Sequence, residues 1–240
     1  LPDDIREFAE MGEFSEFDLN EFFRAFGNGG AAKFEHEDEV QKWLDLIRGA
    51  YRGTTIDDLK LGKNRPVLPF ASGGLLGLLS HTLWFLPSVA SCFAMANLLK
   101  ARQNTFYHDY RIVVAAGAAA GIGADALPPV QSAMQDPLST KTITLSCGKL
   151  TTGVTVPPWA GILMLRKCSS PETYFQSAFR VQSAWTVSAE DGSEIIMKPE
   201  CYVFDFAPNR ALRQIADYGS RLAADDTTPE ERVSELIGFL

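Results

Sequence analysis

The sequence predicts an α/β fold: a three-layer, mostly parallel sheet preceded by a helical segment. From Pro66 onward, short apolar segments of strand length alternate with helical patterns, which is typical of a parallel sheet with helices on both faces. Between Arg65 and Lys100, prolines and glycines divide a run without acids, lysine or arginine into short pieces. This indicates buried sheet elements and not a membrane span. The chain has 240 residues, of which 46% are hydrophobic, so it can form a large core.

Residues 1–65 are predicted to form an acidic helical segment, as an insertion or inter-lobe region. This stretch holds 15 acidic and 9 basic residues. Helices are expected at 18–26 and 36–49, because each places its apolar residues on one side. Gly27 to Gly30 separate these helices, and the stretch 53–69 has the turn residues of a connector. The apolar sides consist of Leu19, Phe22, Phe23 and Phe26 in the first helix, and Val40, Trp43, Leu44 and Ile47 in the second.

Residues 66–240 are predicted to form one sheet domain. Ser170-Pro171-Glu172 is a strong helix start, with a cap, a proline in the first turn and an acid near the positive end of the dipole. A ligand site is expected in the loops at the carboxyl ends of the strands. The predicted strands are 82–86, 111–116, 142–146, 161–165 and 201–206. The predicted helices are a short one near 75–80 and longer ones at 88–102, about 126–135, 170–183, 208–223 and 228–239.

Charge and cysteine content exclude several classes of site. The 22 basic and 30 acidic residues give a net charge of −8, which excludes a general electrostatic grip on nucleic acid but not a local basic strip. The cysteines at 92, 147, 168 and 201 form no C-x-x-C pair, so neither a disulfide scaffold nor a metal site is expected. We expect buried thiols in a cytoplasmic protein, with Cys147 as a small buried residue. An acidic start without an apolar stretch predicts no secretory signal.

Two glycine-containing loops have spacings that bear on nucleotide binding. The stretch 111–123 places glycines at 117, 121 and 123 after a strand, a spacing similar to the nucleotide-binding turn of short-chain dehydrogenases. The turn lies mid-chain, and the sequence has no Tyr-x-x-x-Lys pair; close strand–helix packing is the preferred interpretation. Gly148-Lys149 has Ile143 at the position of the leading glycine and no Ser or Thr directly after the lysine. We therefore predict no triphosphate-binding loop in this chain, which alone neither binds ATP tightly nor hydrolyses it.

The region 142–183 carries the most specific pattern. The loop CGKLTTGVTVP at 147–157 resembles motif V of superfamily 2 helicases, and ETYFQSAFRVQS at 172–183 resembles their motif VI, Gln-x-x-Gly-Arg-x-x-Arg. Upstream, HTLWFLPSVASCFAM at 81–95 is similar to the strand and helix of motif IV. Residues 66–220 thus resemble the second RecA-like lobe of these enzymes. The resemblance is closest to the helicase-like ATPase subunits of restriction systems.

This resemblance implies a function for the chain. ATP and Mg²⁺ would be held mainly by a first RecA-like lobe, in the same or another polypeptide, and DNA would be a partner through its phosphate backbone. Arg180 would reach the γ-phosphate as an arginine finger, with Gln176 one helical turn earlier on the same face. The implied residues are Arg180 and Gln176 for catalysis, Gly153, Thr155 and Arg180 for the nucleotide, and Lys149, Thr151, Thr152 and Gly117 for nucleic acid.

The match has departures, and alternatives stay open. Phe179 stands at the motif VI glycine, Ser183 at its second arginine, and Thr155 where many relatives have aspartate. In one alternative the lobe is non-catalytic and binds only DNA or a protein. A second alternative is a short-chain oxidoreductase built on the Gly117 turn. Taken as ordinary surface residues, Arg180 pairs with an acid such as Glu172 or Asp205, and Gln176 is solvated. We interpret His81, Trp84, Phe85, Tyr174 and Phe175 as core residues.

Overall fold

The computed structural model describes residues 18–50, 68–71, 73–118, 123–150, 153–168, 170–189 and 191–207. The helices predicted at 208–223 and 228–239 lie outside these residues. The strands are β1 (Ala25–Phe26), β2 (Lys33–Phe34), β3 (His81–Phe85), β4 (Arg111–Val114), β5 (Thr142–Ser146), β6 (Gly161–Met164), β7 (Thr186–Ser188), β8 (Glu194–Ile196) and β9 (Tyr202–Asp205). The helices are α1 (Leu19–Phe22), α2 (Glu37–Ile47), α3 (Gly73–Leu78), α4 (Val89–Leu99), α5 (Leu127–Met134) and α6 (Pro171–Ala178).

Five parallel strands form the central sheet in the order β4-β5-β3-β6-β9. The central strand β3 aligns Leu83 with Thr144 of β5 on one side and with Ile162 of β6 on the other. The predicted parallel α/β sheet is confirmed, and all five predicted strands form within two residues of their expected ends. Because β3, β5 and β6 have neighbours on both sides and helices on both faces, every residue of these three strands is buried.

Successive side chains of the central strands enter two different cores, which makes the molecule three-layered. On β3, Leu83 and Phe85 pack into one core while Trp84 packs into the other, as the two-residue period of a strand requires. Helix α4 and the N-terminal residues cover the face that holds Trp84. The opposite face holds α5, α6 and the loop segment 154–159. The predicted core residues Trp84, Phe85, Tyr174 and Phe175 are all buried.

Residues 18–50 pack directly on the sheet domain. The hydroxyl of Ser91 in α4 donates to the carbonyl of Phe23 at 2.7 Å, and Asn97 Nδ2 donates to the carbonyls of Gly29 and Ala32, both at 2.9 Å. Tyr107 donates its hydroxyl proton to the carbonyl of Leu44 at 3.0 Å. The predicted domain boundary at residue 65 lies outside the described residues, so the division of the chain stays a prediction.

The helix predicted at 18–26 is shorter than expected. Asp18 caps α1, accepting from the amide of Asn20 at 2.8 Å, and the helix ends at Phe22. The chain then forms the two-residue strand β1, where Ala25 pairs with Phe34. The prediction that Phe26 lies on a buried helix face is wrong, because this ring belongs to β1 and is 54% exposed. Pairing with β2 outweighs the helical pattern here.

Helix α6 begins as predicted and ends earlier. Ser170 caps it by accepting from the amide of Thr173 at 3.3 Å, and the α-helix ends at Ala178, after which Phe179–Val181 form a 3₁₀ turn. A hairpin of β7 and β8 follows, for which the sequence patterns gave no prediction. In the described part of the chain, no helix combines the length and the apolar character that crossing a bilayer requires.

Candidate functional site at the carboxyl edge of the sheet

Loops from neighbouring strands meet at the carboxyl edge of the sheet. Lys149 follows β5 and Gly117 follows β4, and Lys149 Nζ donates to the Gly117 carbonyl at 2.5 Å. Gly117 has a φ of +80°, and a Cβ there would lie 3.3 Å from Cγ1 of Val89, the first residue of α4. The structure thus brings together two of the residues for which the helicase resemblance implies nucleic-acid contacts. Thr151 and Thr152 lie outside the described residues.

The loop after β5 is held by its own contacts. The Ser146 hydroxyl donates to the carbonyl of Lys149, and the buried Leu150 adopts a φ of 66°. A left-handed backbone is unfavourable for a residue with a Cβ. Burial of the Leu150 side chain in the core under α5 and α6 offsets this strain. These contacts hold Lys149 at the edge while its ammonium group stays partly exposed.

Arg166 lies at the same edge and is a site residue that the sequence patterns did not predict. Its Nη1 donates to the carbonyl of Cys147 at 2.8 Å, and its guanidinium carbon lies 5.0 Å from the centre of the Phe85 ring. Within the described residues, its buried Nε has no acceptor. Arg166 is the first charged residue after the apolar strand segment 161–165, and this position was a usable signal. With the exposed Lys167 beside it, it makes the edge locally basic despite the net charge of −8.

Cys147 is not the fully buried residue that the sequence predicted. It is partly exposed, whereas Cys92 in α4 is buried. Interaction with Cys92 lowers the pKa of Cys147, and the positive charges of Arg166 and Lys149 lower it further. Interaction with Cys147 and burial raise the pKa of Cys92.

Arg180 connects the two segments that resemble motifs V and VI. It follows α6, and its Nη1 donates to the carbonyl of Val154 at 2.6 Å, while its Nε donates to the carbonyl of Gln176 at 3.0 Å. The guanidinium is partly buried, and Gln176, Gly153 and Thr155 are exposed. Gly153 and Arg180 are 27 positions apart in the sequence. They belong to one cluster, because Arg180 donates to the carbonyl of Val154, the residue that follows Gly153.

Lys198, which the sequence did not predict as a site residue, also contacts this cluster. Its Nζ donates to the carbonyls of Pro157, Trp159 and Val181 at 2.8, 2.9 and 2.8 Å. Burial lowers the pKa of Lys198 to about 8. The ammonium group therefore joins the end of the motif V-like loop to the residue that follows Arg180. Nothing in the local sequence around Lys198 signals these contacts, because the three acceptors are backbone atoms far along the chain.

One group of side chains has the composition of a metal site. Glu21, Glu35 and His36 converge near β1 and β2. Arg24 Nη2 lies 2.9 Å from Glu21 and 2.6 Å from Glu35, so an arginine already supplies the positive charge that a metal ion would bring. The group lies among the N-terminal residues that pack against α4, and we assign it a structural role.

The chain is similar to one protein whose description names a restriction enzyme. The chain is 32% identical over 213 residues to a Mycoplasma pneumoniae protein described as a candidate type II restriction enzyme and methyltransferase C-terminus. The aligned part covers 87% of this chain and 27% of the relative, so the chain spans only about a quarter of that protein's length. No protein-family model matches the chain.

Proposed function

We propose that this chain is the C-terminal RecA-like lobe of an ATP-dependent DNA helicase or translocase belonging to a restriction-type enzyme. The parallel five-stranded sheet and the likeness to a restriction enzyme and methyltransferase C-terminus support this proposal. In it, Arg180 acts as an arginine finger, and the basic carboxyl edge contacts DNA phosphates. The first lobe, with its phosphate loop, lies in the same or another polypeptide.

The bond between Arg180 Nη1 and the Val154 carbonyl is the observation that carries the proposal. It joins the end of α6 to the residue between Gly153 and Thr155. The helicase resemblance assigns nucleotide contacts to Gly153, Thr155 and Arg180, and a nucleotide can be reached by all three only if they lie in one place. The exposure of Gly153, Thr155 and Gln176 leaves this place open to a second lobe.

The chemistry of arginine suits this position. A guanidinium stays charged and donates in a planar fork, which stabilises the negative charge that spreads over a transferring phosphoryl group. Nε and Nη1 of Arg180 already donate to carbonyls, which fixes the plane of the group. Among the described residues, Nη2 has no acceptor, so it is the nitrogen that we expect to face the γ-phosphate. Mg²⁺-bound ATP supplies the phosphoryl group and would be held mainly by the first lobe.

The carboxyl edge suits phosphate contacts that do not depend on base sequence. Basic side chains follow two strands of the sheet: Lys149 follows β5, and Arg166 and the exposed Lys167 follow β6. A motor that moves along any sequence needs such contacts, since phosphates are the same at every position. Lys149 now donates to the Gly117 carbonyl, and a DNA phosphate would compete with this acceptor. Thr151 and Thr152 follow Lys149 closely enough in sequence to contribute hydroxyl groups.

A second candidate function is a non-catalytic lobe that binds DNA or a protein. Two observations favour it: the Arg180 guanidinium already donates to two carbonyls of its own lobe, and Ser183 replaces the second arginine of motif VI. In this alternative Arg180 only stabilises the loop at Val154. The two functions differ in whether ATP turnover depends on Arg180.

ATP turnover of the intact enzyme, measured with and without DNA, tests the proposal. We expect Arg180→Ala to lower turnover by roughly 10³-fold or more. Arg111→Ala is the matched control, because Arg111 Nη1 also donates to a backbone carbonyl of the lobe, that of Ala133 at 2.9 Å, but lies at the start of β4. The control should keep normal turnover. Near-normal turnover of a folded Arg180→Ala enzyme would refute the finger and favour the non-catalytic lobe.

A further inference from the structure

Lys198 reaches the surroundings of Arg180 from the end of the β7–β8 hairpin. The amide of Met197 donates to the carbonyl of Trp185 at 2.9 Å, which extends the hairpin beyond its two strands and fixes the backbone just before Lys198. The Trp185 ring in turn lies 6.2 Å from the ring of the buried His81, at the start of β3. The hairpin is thus anchored on the central sheet, and it holds the backbone from which the Lys198 side chain extends.

The Lys198 ammonium group joins two segments that are neither strand nor α-helix. Pro157 and Trp159 belong to the loop segment before β6, and Val181 ends the 3₁₀ turn that contains Arg180. The ammonium group donates to the carbonyls of all three, at 2.8, 2.9 and 2.8 Å. Burial lowers the pKa of Lys198 to about 8, so the group still carries its third proton at pH 7. Its three donors therefore meet three acceptors.

The direction of the Arg180 guanidinium depends on how these two segments lie relative to each other. Arg180 belongs to the turn, whereas the carbonyl of Val154, to which its Nη1 donates, belongs to the loop. The turn is weakly held by its own backbone, since the amide of Gln182 donates to the Phe179 carbonyl at 3.2 Å in the poorer geometry of a 3₁₀ turn. Lys198 opposes a separation of turn and loop, because it binds both.

We propose that Lys198 is a positioning residue, which orients the Arg180 finger by holding the 3₁₀ turn against the loop segment 154–159. This inference rests on the proposed function, because it gives Lys198 a role in the reaction that Arg180 serves. Lys198 acts through Arg180, since its three donors bind backbone carbonyls. Loss of the ammonium group therefore cannot lower ATP turnover by more than loss of Arg180 itself.

Steady-state ATP turnover of the intact enzyme gives the size of the effect. Lys198→Met keeps an unbranched apolar side chain and removes the ammonium group. We expect kcat to fall by about 10²-fold, the cost of a misplacement of about 1 Å. KM for ATP should change little, because the first lobe holds most of the nucleotide. Lys141→Met is the control: it removes another partly buried ammonium group, 5.6 Å from the centre of the Tyr110 ring, and should keep normal turnover.

The same substitution in an Arg180→Ala enzyme separates positioning from general stabilisation. Rates are measured with enzyme in excess of ATP, so that slow hydrolysis is detected. If Lys198 acts through Arg180, the double variant hydrolyses ATP as slowly as Arg180→Ala alone. An equal further loss in both backgrounds would overturn the positioning role, and so would near-normal turnover of Lys198→Met beside a slow Arg180→Ala, with the finger itself still supported. Near-normal turnover of Arg180→Ala would overturn both the finger and its positioning.

Amide hydrogen exchange of the full chain provides a readout that needs no ATP. The amides of Gln182 and Trp159 donate within the turn and the loop, at 3.2 and 3.1 Å. In Lys198→Met both should exchange faster, whereas the amides of the central strand β3 should keep their protection, since only the two segments are released. Lys141→Met should leave all of them unchanged. Unchanged exchange at Gln182 and Trp159 in Lys198→Met would overturn the proposal, because the ammonium group would then not be what holds the turn and the loop.

Discussion

The buried His81 makes the stability of the fold depend on pH in a defined direction. The ring has no exposed surface; its Nε2 lies 2.8 Å from the Pro137 carbonyl and its Nδ1 lies 2.9 Å from the Thr142 hydroxyl. Since a carbonyl can only accept, Nε2 carries the proton, and in the neutral ring Nδ1 accepts from Thr142. Burial lowers the pKa of His81 below 6.5. The folded state therefore binds a proton at His81 less readily than the unfolded chain does.

The sign and size of the effect follow from this difference. A group whose pKa is lower in the folded state contributes stability above its unfolded pKa, and that stability is lost as the pH falls. With an unfolded pKa of about 6.5, one histidine that stays neutral when folded removes at most about 1.3 kcal/mol between pH 7.0 and pH 5.5. The loss stops once the pH falls below the folded pKa.

Urea unfolding at pH 7.0, 6.0 and 5.5 measures this loss, with His81→Gln as the variant without a titrating group. Gln lowers stability at every pH because it fits the two partners less well, so the informative quantity is the slope with pH. The unsubstituted chain should lose more stability than the variant across this range, by at most about 1.3 kcal/mol. His36 and His108 are present in both proteins and cancel in the comparison. Equal slopes would show that the buried ring is not the source and would refute the reasoning.

Two further substitutions test packing and charge. In Gly161→Ala, the new Cβ would lie 2.5 Å from Cδ2 of the buried Leu79. We therefore expect the free energy of unfolding, measured in urea, to fall by about 1–3 kcal/mol. The loss should shrink in a Leu79→Ala background, and an unchanged unfolding midpoint would contradict the close approach. Lys149→Ala should remove one phosphate contact, so the slope of the logarithm of DNA affinity against the logarithm of salt concentration should fall by about one. Fluorescence anisotropy of labelled DNA bound to the intact enzyme measures this slope. Lys141→Ala, before β5, is its control, and an equal effect of both substitutions would count against a site at the carboxyl edge.

The sheet could be predicted because the composition of its strand segments is compatible with few structures. The segments at 82–86 and 161–165 are almost entirely apolar, and 142–146 alternates Ile and Leu with Thr and Ser. Short segments of this composition suit strands of a sheet that is covered by helices. The order of the strands could not be predicted in the same way. It depends on contacts between the two cores and the crossover loops, which no local pattern records.

The hairpin of β7 and β8 shows where periodicity gives no information. Its strands have three residues each, and all of β8 is exposed, including Ile195 and Ile196. Strands of three residues are too short for a two-residue period to be recognised. Asp191-Gly192 was the available signal, since this pair favours the tight turns of hairpins, and Gly192 has a φ of +81°.

The candidate site was predictable in its location but not in its contacts. Parallel strands end at one edge, so a site could be predicted in the loops after the strands, which include Gly117 after β4 and Lys149 after β5. The contact between Arg180 and Val154 joins residues 26 positions apart. It depends on how α6 lies on the sheet. Backbone carbonyls are acceptors at every residue, so no residue type marks Val154 as the partner of Arg180.

The hydrogen bond from Arg180 to the Val154 carbonyl determines whether lysine can replace arginine at position 180. A hydrogen bond from a charged donor contributes about 1.5–3 kcal/mol, whereas a finger that changes turnover by 10³–10⁵ supplies about 4–7 kcal/mol. Arginine has five N–H donors, so the bond to Val154 can persist while other donors face a phosphate. Lysine has one nitrogen and would have to leave the carbonyl to reach the phosphate. If Arg180 is a finger oriented by Val154, Arg180→Lys should restore little of the turnover lost in Arg180→Ala; if charge alone matters, it should restore most of it.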